Sequence, residues 1–505
     1  MMVTLFSCAF SGLDPVLIRV EVDISNGLPV CQIVGLPDST VQEARDRIRA
    51  AVKNSGFDFP SQRITINLAP ADSRKEGSGF DLPMALGILA ASGQIQASSF
   101  EKFLFLGELG LSGAVRPVPG ILVAAEIARR KGKFNLIVPS ENENEACLFD
   151  EIKVWSVSSL KEAVLVLMGG KESVKPRITW AVHRNGYVDL KQLKGQEQAK
   201  RGVEIAVSGN HNLLLIGPPG SGKSFLAKMI PGILPPLNFQ QALEISKIQS
   251  VAGTLKEGVA TTPPFRSPHS TISYAGMVGG GPFARPGELS FAHHGVLFLD
   301  EFPEFHRNVL EALRQPLEER KISIVRISGS VIYPADFLLT AAMNPCPCGY
   351  YGDLVRPCLC RPTEVMAYRK RISGPLLDRI DLQIEMSRVS YDKFYDSPFS
   401  ESSEKVRNRV VSARKMQEER YETPGMTNSR VEDEIFWSRA DLSSEAKVFL
   451  KECYDRIGLS SRGNIRVLRV ARTIADLDKS PTIKKHHLEE AVSCRVLEKK
   501  LWQSY

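Results

Sequence analysis

The octapeptide GPPGSGKS, Gly217, Pro218, Pro219, Gly220, Ser221, Gly222, Lys223 and Ser224, constrains this chain more than any other stretch. It has the G-x-x-x-x-G-K-S spacing of a phosphate loop, and its flanks suit one. The apolar run Leu213, Leu214, Leu215, Ile216 predicts a buried parallel strand entering the loop, and Phe225 to Ile230 predicts a helix leaving it until Pro231. Glycines let backbone N–H groups turn toward a β-phosphate, and the helix N-terminus adds positive potential. Lys223 neutralises β/γ charge and the Ser224 hydroxyl suits Mg²⁺, so this segment is read as the ATP-binding site.

With 505 residues, 43% hydrophobic and 24% charged, the chain has the composition of a globular protein of several domains. No apolar run approaches the roughly 18 residues of a membrane span, and the N-terminal MMVTLFSCAFSG lacks a basic region before an apolar core. These features predict a cytoplasmic protein with no membrane partner. Scattered cysteines (Cys8, Cys31, Cys147, Cys453, Cys494) suit a reducing compartment. The net charge of +7 permits a polyanionic partner without requiring one.

Four regions are expected. Residues 1–168 alternate strands and helices: Leu17 to Ile24 is β-rich, and Ser39 with Gln42 reads as a capping box opening a helix that Gly56 stops. Its Val41, Ala44, Ile48, Ala51 and Val52 share one face. Residues 169–188 have linker composition, with Trp180 a possible anchor on a surface. Residues 189–390 alternate again, as in a parallel α/β sheet, and 391–505 are charged and helical.

Val296 to Leu299 reads as a second buried strand delivering Asp300 and Glu301 at its C-terminal end, where ligands of parallel sheets sit. Asp300 is placed to hold the Mg²⁺ hydration shell and Glu301 to polarise an attacking water. A third strand, Phe337 to Ala341, leads through Met343 to Asn344. On residue types alone Asn344-Pro345 is a turn, but its place in the chain resembles sensor 1 of AAA+ ATPases. Arg379 in SGPLLDRID resembles the arginine finger that AAA+ rings insert into a neighbour's site, the alternative being an ion pair with Asp378 or Asp381. Arg462 opens a helix and resembles sensor 2.

Cys346, Cys348, Cys358 and Cys360 form C-x-C-x₉-C-x-C in the Gly- and Pro-rich loop 345–361, close enough to surround one structural Zn²⁺. Four reduced, unmetallated thiols are the alternative. His293 and His294 have no carboxylate at ligand spacing and are read as packing residues.

Together these residues resemble the magnesium-chelatase and MCM-like branch of AAA+ proteins. Phe265 to Phe302 looks like the helix-2 insert region running into the second acidic motif, and Lys321 to Asn344 like the pre-sensor hairpin running into sensor 1. The hairpin also stands on its own: Lys321 to Ile327 alternates, and Ser328, Gly329 and Ser330 can turn the chain. GLPDSTVQEARDRIRAA, NLAPADSRKEGSGFDLPMALGIL, NPCPCGYYGD and VARTIADL extend the likeness to nearly the whole chain, which is identified as a member of the ComM, YifB or Mg-chelatase-like family. That resemblance implies an ATP-dependent hexameric ring, a DNA helicase promoting branch migration in natural transformation, with a helical lid at the C-terminus. Lys321 and Arg326 are then DNA-binding candidates in the channel, and Arg266, Tyr274 and Phe283 weaker ones. A protein remodeller and a chelatase motor subunit are the alternatives. The N-terminal region is similar to the Lon protease fold, yet Gly79 falls at the nucleophile position, with Ser78 one place early, and Leu122 where the lysine would be. A Ser–Lys dyad needs both partners, so a non-proteolytic scaffold is expected.

Overall fold

The computed structural model describes residues 2–71, 75, 77–96, 100–132, 134–174, 186–256, 258–281, 284–326, 329–353, 355–389, 401–457 and 461–495. Trp180 and Phe283 lie outside them.

The first part is built on a seven-stranded mixed sheet. Its order is Val30–Val34, Arg63–Ala69, Asp14–Ser25, Met2–Ser11, Phe103–Phe105, Asn135–Pro139, Val154–Val157. The predicted helix runs Ser39–Asn54 and buries Val41, Ala44, Ile48, Ala51 and Val52. Its cap is Asp38 rather than the expected Ser39: the Asp38 carboxylate accepts the Val41 N–H at 2.8 Å, one residue ahead of the S-x-x-Q pattern. Gly56, at φ +76°, ends the helix as expected.

The second part holds a five-stranded, wholly parallel sheet ordered Phe265–Arg266, Val296–Leu299, Leu338–Met343, Leu213–Ile216, Leu382–Glu385. The three central strands are buried throughout, which is why they read as unbroken apolar runs. A hairpin, Lys321–Arg326 paired antiparallel with Gly329–Pro334, projects from this part. Arg326 pairs with Gly329, so the turn is at 327–328, outside the described residues, and Gly329 and Ser330 belong to the second strand rather than to the expected turn. Ile322, Ile324 and Tyr333 face the core, while Lys321 and Val325 are exposed.

The third part is helical, with Ser403–Tyr421, Asp433–Arg439, Ser444–Ile457, Ser461–Leu477 and Lys485–Ser493. The helix Glu197–Gly209 beneath the parallel sheet packs on the first and fourth of these. No described helix is long and apolar enough to cross a membrane.

The first two parts share one apolar core. Leu237, Leu243, Ile245 and Val259 of the ATP-loop part pack with Leu104, Ile121, Leu122 and Leu136 of the first. Ser250 closes the seam: its carbonyl accepts from Gly120 N–H at 2.9 Å and its hydroxyl from Leu122 N–H at 3.3 Å, while that hydroxyl donates to Glu145 at 2.7 Å. A Lys247–Glu126 ion pair at 2.7 Å lies beside it. Leu122, the position that a lysine would fill in a Lon-type dyad, is thus a docking residue. Ser78 donates its hydroxyl to the Glu108 carboxylate.

Candidate active site

Parallel strands deliver their C-terminal ends to one edge of the sheet, and three of the predicted segments leave from that edge. The strand Leu213–Ile216 continues into the phosphate loop, Val296–Leu299 into Asp300 and Glu301, and Leu338–Met343 into Asn344. The loop needs its glycines for distinct reasons. A methyl on Gly217 would lie 2.2 Å from the Met386 carbonyl oxygen, and Gly222 turns at φ +93° to start the helix Lys223–Ala227. That helix is shorter than the sequence pattern suggests, because Pro231 draws the following residues Ile230–Gly232 into a 3₁₀ turn.

Lys223 is the hub. Its ammonium donates to the carbonyls of Gly217 at 2.6 Å and Pro218 at 3.0 Å, and to Asn344 Oδ1 at 3.2 Å. Burial pulls its pKa down from the ordinary lysine range to about 8, against the attraction of Asp300. Ser224 Oγ donates to Asp300 Oδ2 at 2.5 Å, and Asp300 Oδ1 accepts the Glu301 N–H at 2.9 Å. Glu301 is exposed and sits at φ +51°, a left-handed conformation in which the chain leaves the line of the strand. Ser224 and Asp300 together fit a Mg²⁺ site: one hydroxyl and one carboxylate, oxygen donors both.

Arg379 and Arg462 are not with them. Asp381 and Leu382 N–H both bond the Asn212 carbonyl, so Arg379 lies before the first residue of strand Leu382–Glu385 while the phosphate loop lies after the last residue of its neighbour. The two are at opposite edges of the sheet. Arg379 pairs with Glu318, not with Asp378 or Asp381, and donates to the Pro375 carbonyl at 2.5 Å. Arg462, exposed on the helix Ser461–Leu477, lines the same cleft of about 400 Å³ together with Arg466, Arg469 and Asp378. No residue of 217–224, nor Asp300 or Glu301, lines it.

Among the DNA candidates, Lys321 is exposed and only 4.0 Å from Glu319, and Arg326 stands at the hairpin tip. Tyr274 is half exposed on the helix Tyr274–Val278. Arg266 is committed elsewhere: its guanidinium is bidentate to Glu288 at 2.6 and 2.5 Å and lies 5.3 Å over the Phe291 ring. Its side chain nonetheless stays 41% exposed, so the pairing with Glu288 competes with a phosphate contact there without replacing it.

The four loop cysteines converge. Sγ of Cys346 lies 3.4 Å from that of Cys348 and 3.7 Å from that of Cys358, Cys348 and Cys358 are 3.6 Å apart, and Cys360 Sγ accepts the Cys348 N–H at 3.4 Å. No disulfide joins them. A second group escaped the sequence reading. Glu244, 49 and 50 residues upstream, accepts from His293 at 3.2 Å and His294 at 2.7 Å, so the pair does have a carboxylate. His293 Nδ1 accepts the Asp336 N–H at 3.1 Å, which places its proton on Nε2 toward Glu244 and leaves no lone pair for a metal. The two imidazoles hold the Glu244 carboxyl well below its usual range.

Comparison with known proteins agrees with this layout. Residues 189–394 match the family model "Magnesium chelatase, subunit ChlI", 20–142 match "Subunit ChlI of Mg-chelatase", and 400–495 match "Magnesium chelatase, subunit ChlI C-terminal". The chain is 44% identical over 494 residues to YifB of Salmonella typhimurium, covering 97% of this chain and 96% of that one. It is 42% identical over 503 residues to competence protein ComM of Haemophilus influenzae, covering 97% of each. Lon protease 2 of Bacillus subtilis is 28% identical over 141 residues, 26% of each chain. Identity sustained over almost the full length of both relatives, on top of an AAA+ sheet and a Lon-like first part, places the chain in the YifB/ComM family of magnesium-chelatase-like AAA+ proteins.

Proposed function

We propose that this chain is an ATP-hydrolysing ring motor acting on DNA, a branch migration helicase that supports integration of incoming strands. The observation that carries the reading is the separation of Arg379 and Arg462 from Lys223, Asp300, Glu301 and Asn344 across the parallel sheet. A guanidinium at the far edge cannot reach its own phosphate loop, so it serves the loop of another copy; a site split in this way needs a head-to-tail contact between copies, which closes into a ring, such as a hexamer, when the rotation between them closes. The name of the Haemophilus relative, a competence protein, supports DNA as the substrate.

Within one site, Lys223 and the backbone of residues 217–224 would hold the phosphates, and Ser224 with Asp300 would hold Mg²⁺, whose part would be to neutralise charge on the phosphoryl oxygens. Glu301 takes the proton of the attacking water, and Asn344, held to Lys223 through its Oδ1, orients that water with its amide. Tilting of one protomer against the next as the shared site fires moves the exposed hairpin, with Lys321 and Arg326, along the strand. The Cys346, Cys348, Cys358 and Cys360 set provides a second metal position, for zinc.

The test is migration of a synthetic four-strand junction by the purified protein with ATP and Mg²⁺, with Glu301→Gln as control. Migration by wild type and none by the variant is expected. ATPase stimulated by unfolded peptide and indifferent to DNA would replace this reading with a protein remodeller; insertion of Mg²⁺ into a tetrapyrrole would replace it with a chelatase motor.

A further inference from the structure

The four sulfurs are close enough together to share one metal ion. Tetrahedral Zn²⁺ with bonds of about 2.3 Å needs sulfurs about 3.8 Å apart. Three of the separations here are 3.4, 3.6 and 3.7 Å, and all four sulfurs lie within 4.8 Å of one another. Backbone donors surround them, Tyr351 N–H to Cys346 Sγ at 3.3 Å and Cys348 N–H to Cys360 Sγ at 3.4 Å, the arrangement that steadies thiolates around a cation. The described part of the loop closes on polar contacts, Asp353 with the Val355 and Arg356 N–H groups and Arg356 with the Tyr350 hydroxyl, rather than on packed apolar side chains. Its apolar Val355 and Leu359 are 73% and 88% exposed, so no hydrophobic core of its own closes it, and a metal would supply that free energy.

What the loop touches gives it a further role. Cys346 follows Asn344 by two residues, and Asn344 holds Lys223. Gly349, at φ +86°, packs so closely on the phosphate loop that a methyl there would sit 2.6 Å from Pro219 Cδ and 3.8 Å from Asn344 Cγ. The buried Arg369 fixes the segment from beneath, donating to the Pro345 carbonyl at 3.1 and 3.2 Å with its guanidinium 4.9 Å over the Tyr351 ring. The loop therefore reaches both the sensor asparagine and the phosphate loop.

We propose that the four-cysteine loop is a zinc clasp that sets Asn344 and the phosphate loop in register, so that ATP turnover depends on a metal that never touches the nucleotide. This rests on the reading of Lys223, Asp300 and Glu301 as an ATP-hydrolysing centre. Cys346, Cys348, Cys358 and Cys360 act as positioning residues, through Gly349 against Pro219 and through Pro345 to Asn344.

The test uses the full chain purified under reducing conditions without chelator. Elemental analysis gives one zinc per chain, and a Cys348→Ser/Cys358→Ser variant loses it. Stripping zinc from folded wild type with phenanthroline lowers kcat by about ten-fold or more, the range of effects seen when the shell around a metal site is disturbed. It also weakens binding of a fluorescent ATP analogue, and added Zn²⁺, not added Mg²⁺, restores both. Zinc-free protein from zinc-replete cells, or unchanged turnover after zinc loss, overturns the clasp. Zinc-loaded wild type that neither binds nor hydrolyses ATP overturns the ATPase reading and the clasp with it, while the zinc stoichiometry stands.

Discussion

Lys223 is the residue whose chemistry changes most when the site fills. With no anion beside it, burial holds its pKa near 8. The phosphates of ATP return it toward the ordinary value of about 10.4, so between those two pH values binding takes up a proton. At pH 9 ATP binding is expected to consume protons, seen in calorimetry as a heat that changes with the ionisation enthalpy of the buffer, and affinity is expected to weaken as pH rises above about 8. The same shift means that the folded, empty chain carries fewer protons than the unfolded one in this window, so its stability rises with pH there. Lys223→Ala removes both the proton uptake and the binding. Lys223, Asp300 and Glu301 were readable because a phosphate-loop motif and an acidic pair each come after a buried run of four apolar residues, whereas Asn344 read locally as a turn and was marked only by its place in the chain. The partners of Arg379 and of the histidine pair were not: Glu318 and Glu244 arrive from helices far along the chain, and nothing in local spacing marks them.

At the scale of elements, the cap of helix Ser39–Asn54 shows how a pattern can be right in kind and wrong by one place. Asp38 outcompetes Ser39 because its second oxygen also accepts Gly77 N–H at 3.3 Å, so one side chain starts the helix and pins the segment before Ser78. Asp38→Ala is expected to cost about 1 kcal/mol in chemical denaturation, the usual worth of a lost N-cap. The hairpin is the element on which the DNA proposal turns. Its alternation was legible in sequence, since Ile322 and Ile324 must face a core, but its exact turn was not, because Gly and Ser suit a turn and a strand end equally. Lys321→Ala is expected to lower DNA-stimulated ATPase, leave basal ATPase unchanged, and reduce the log-log salt slope of DNA binding by about 1, as loss of one phosphate contact does.

For the whole molecule, two features decide behaviour. The first is the proposed split site. Arg379→Ala is expected to keep ATP affinity and lower turnover by about 10³-fold or more, as loss of an arginine finger does. Mixed with Lys223→Ala it regains activity, because some junctions then join an intact loop to an intact arginine; no recovery on mixing would remove the shared site. The second is the common core between the first and second parts. A fragment of residues 189–505 leaves Leu237, Leu243 and Ile245 uncovered and is expected to aggregate in size-exclusion chromatography where the full chain does not. Composition alone suggested separable units joined by a polar stretch. It could not show the seam, whose apolar residues on both sides look like ordinary core in sequence.

The turn between the first two strands also touches the motor. A methyl on Gly12 would lie 2.4 Å from Val331 Cγ1 and 3.7 Å from the Tyr333 ring, on the second strand of the hairpin. In a motor of the kind proposed, the recoil of each power stroke passes through that contact into a seven-stranded slab, so the thrust is borne by an anchored abutment rather than lost in flexing of the lever.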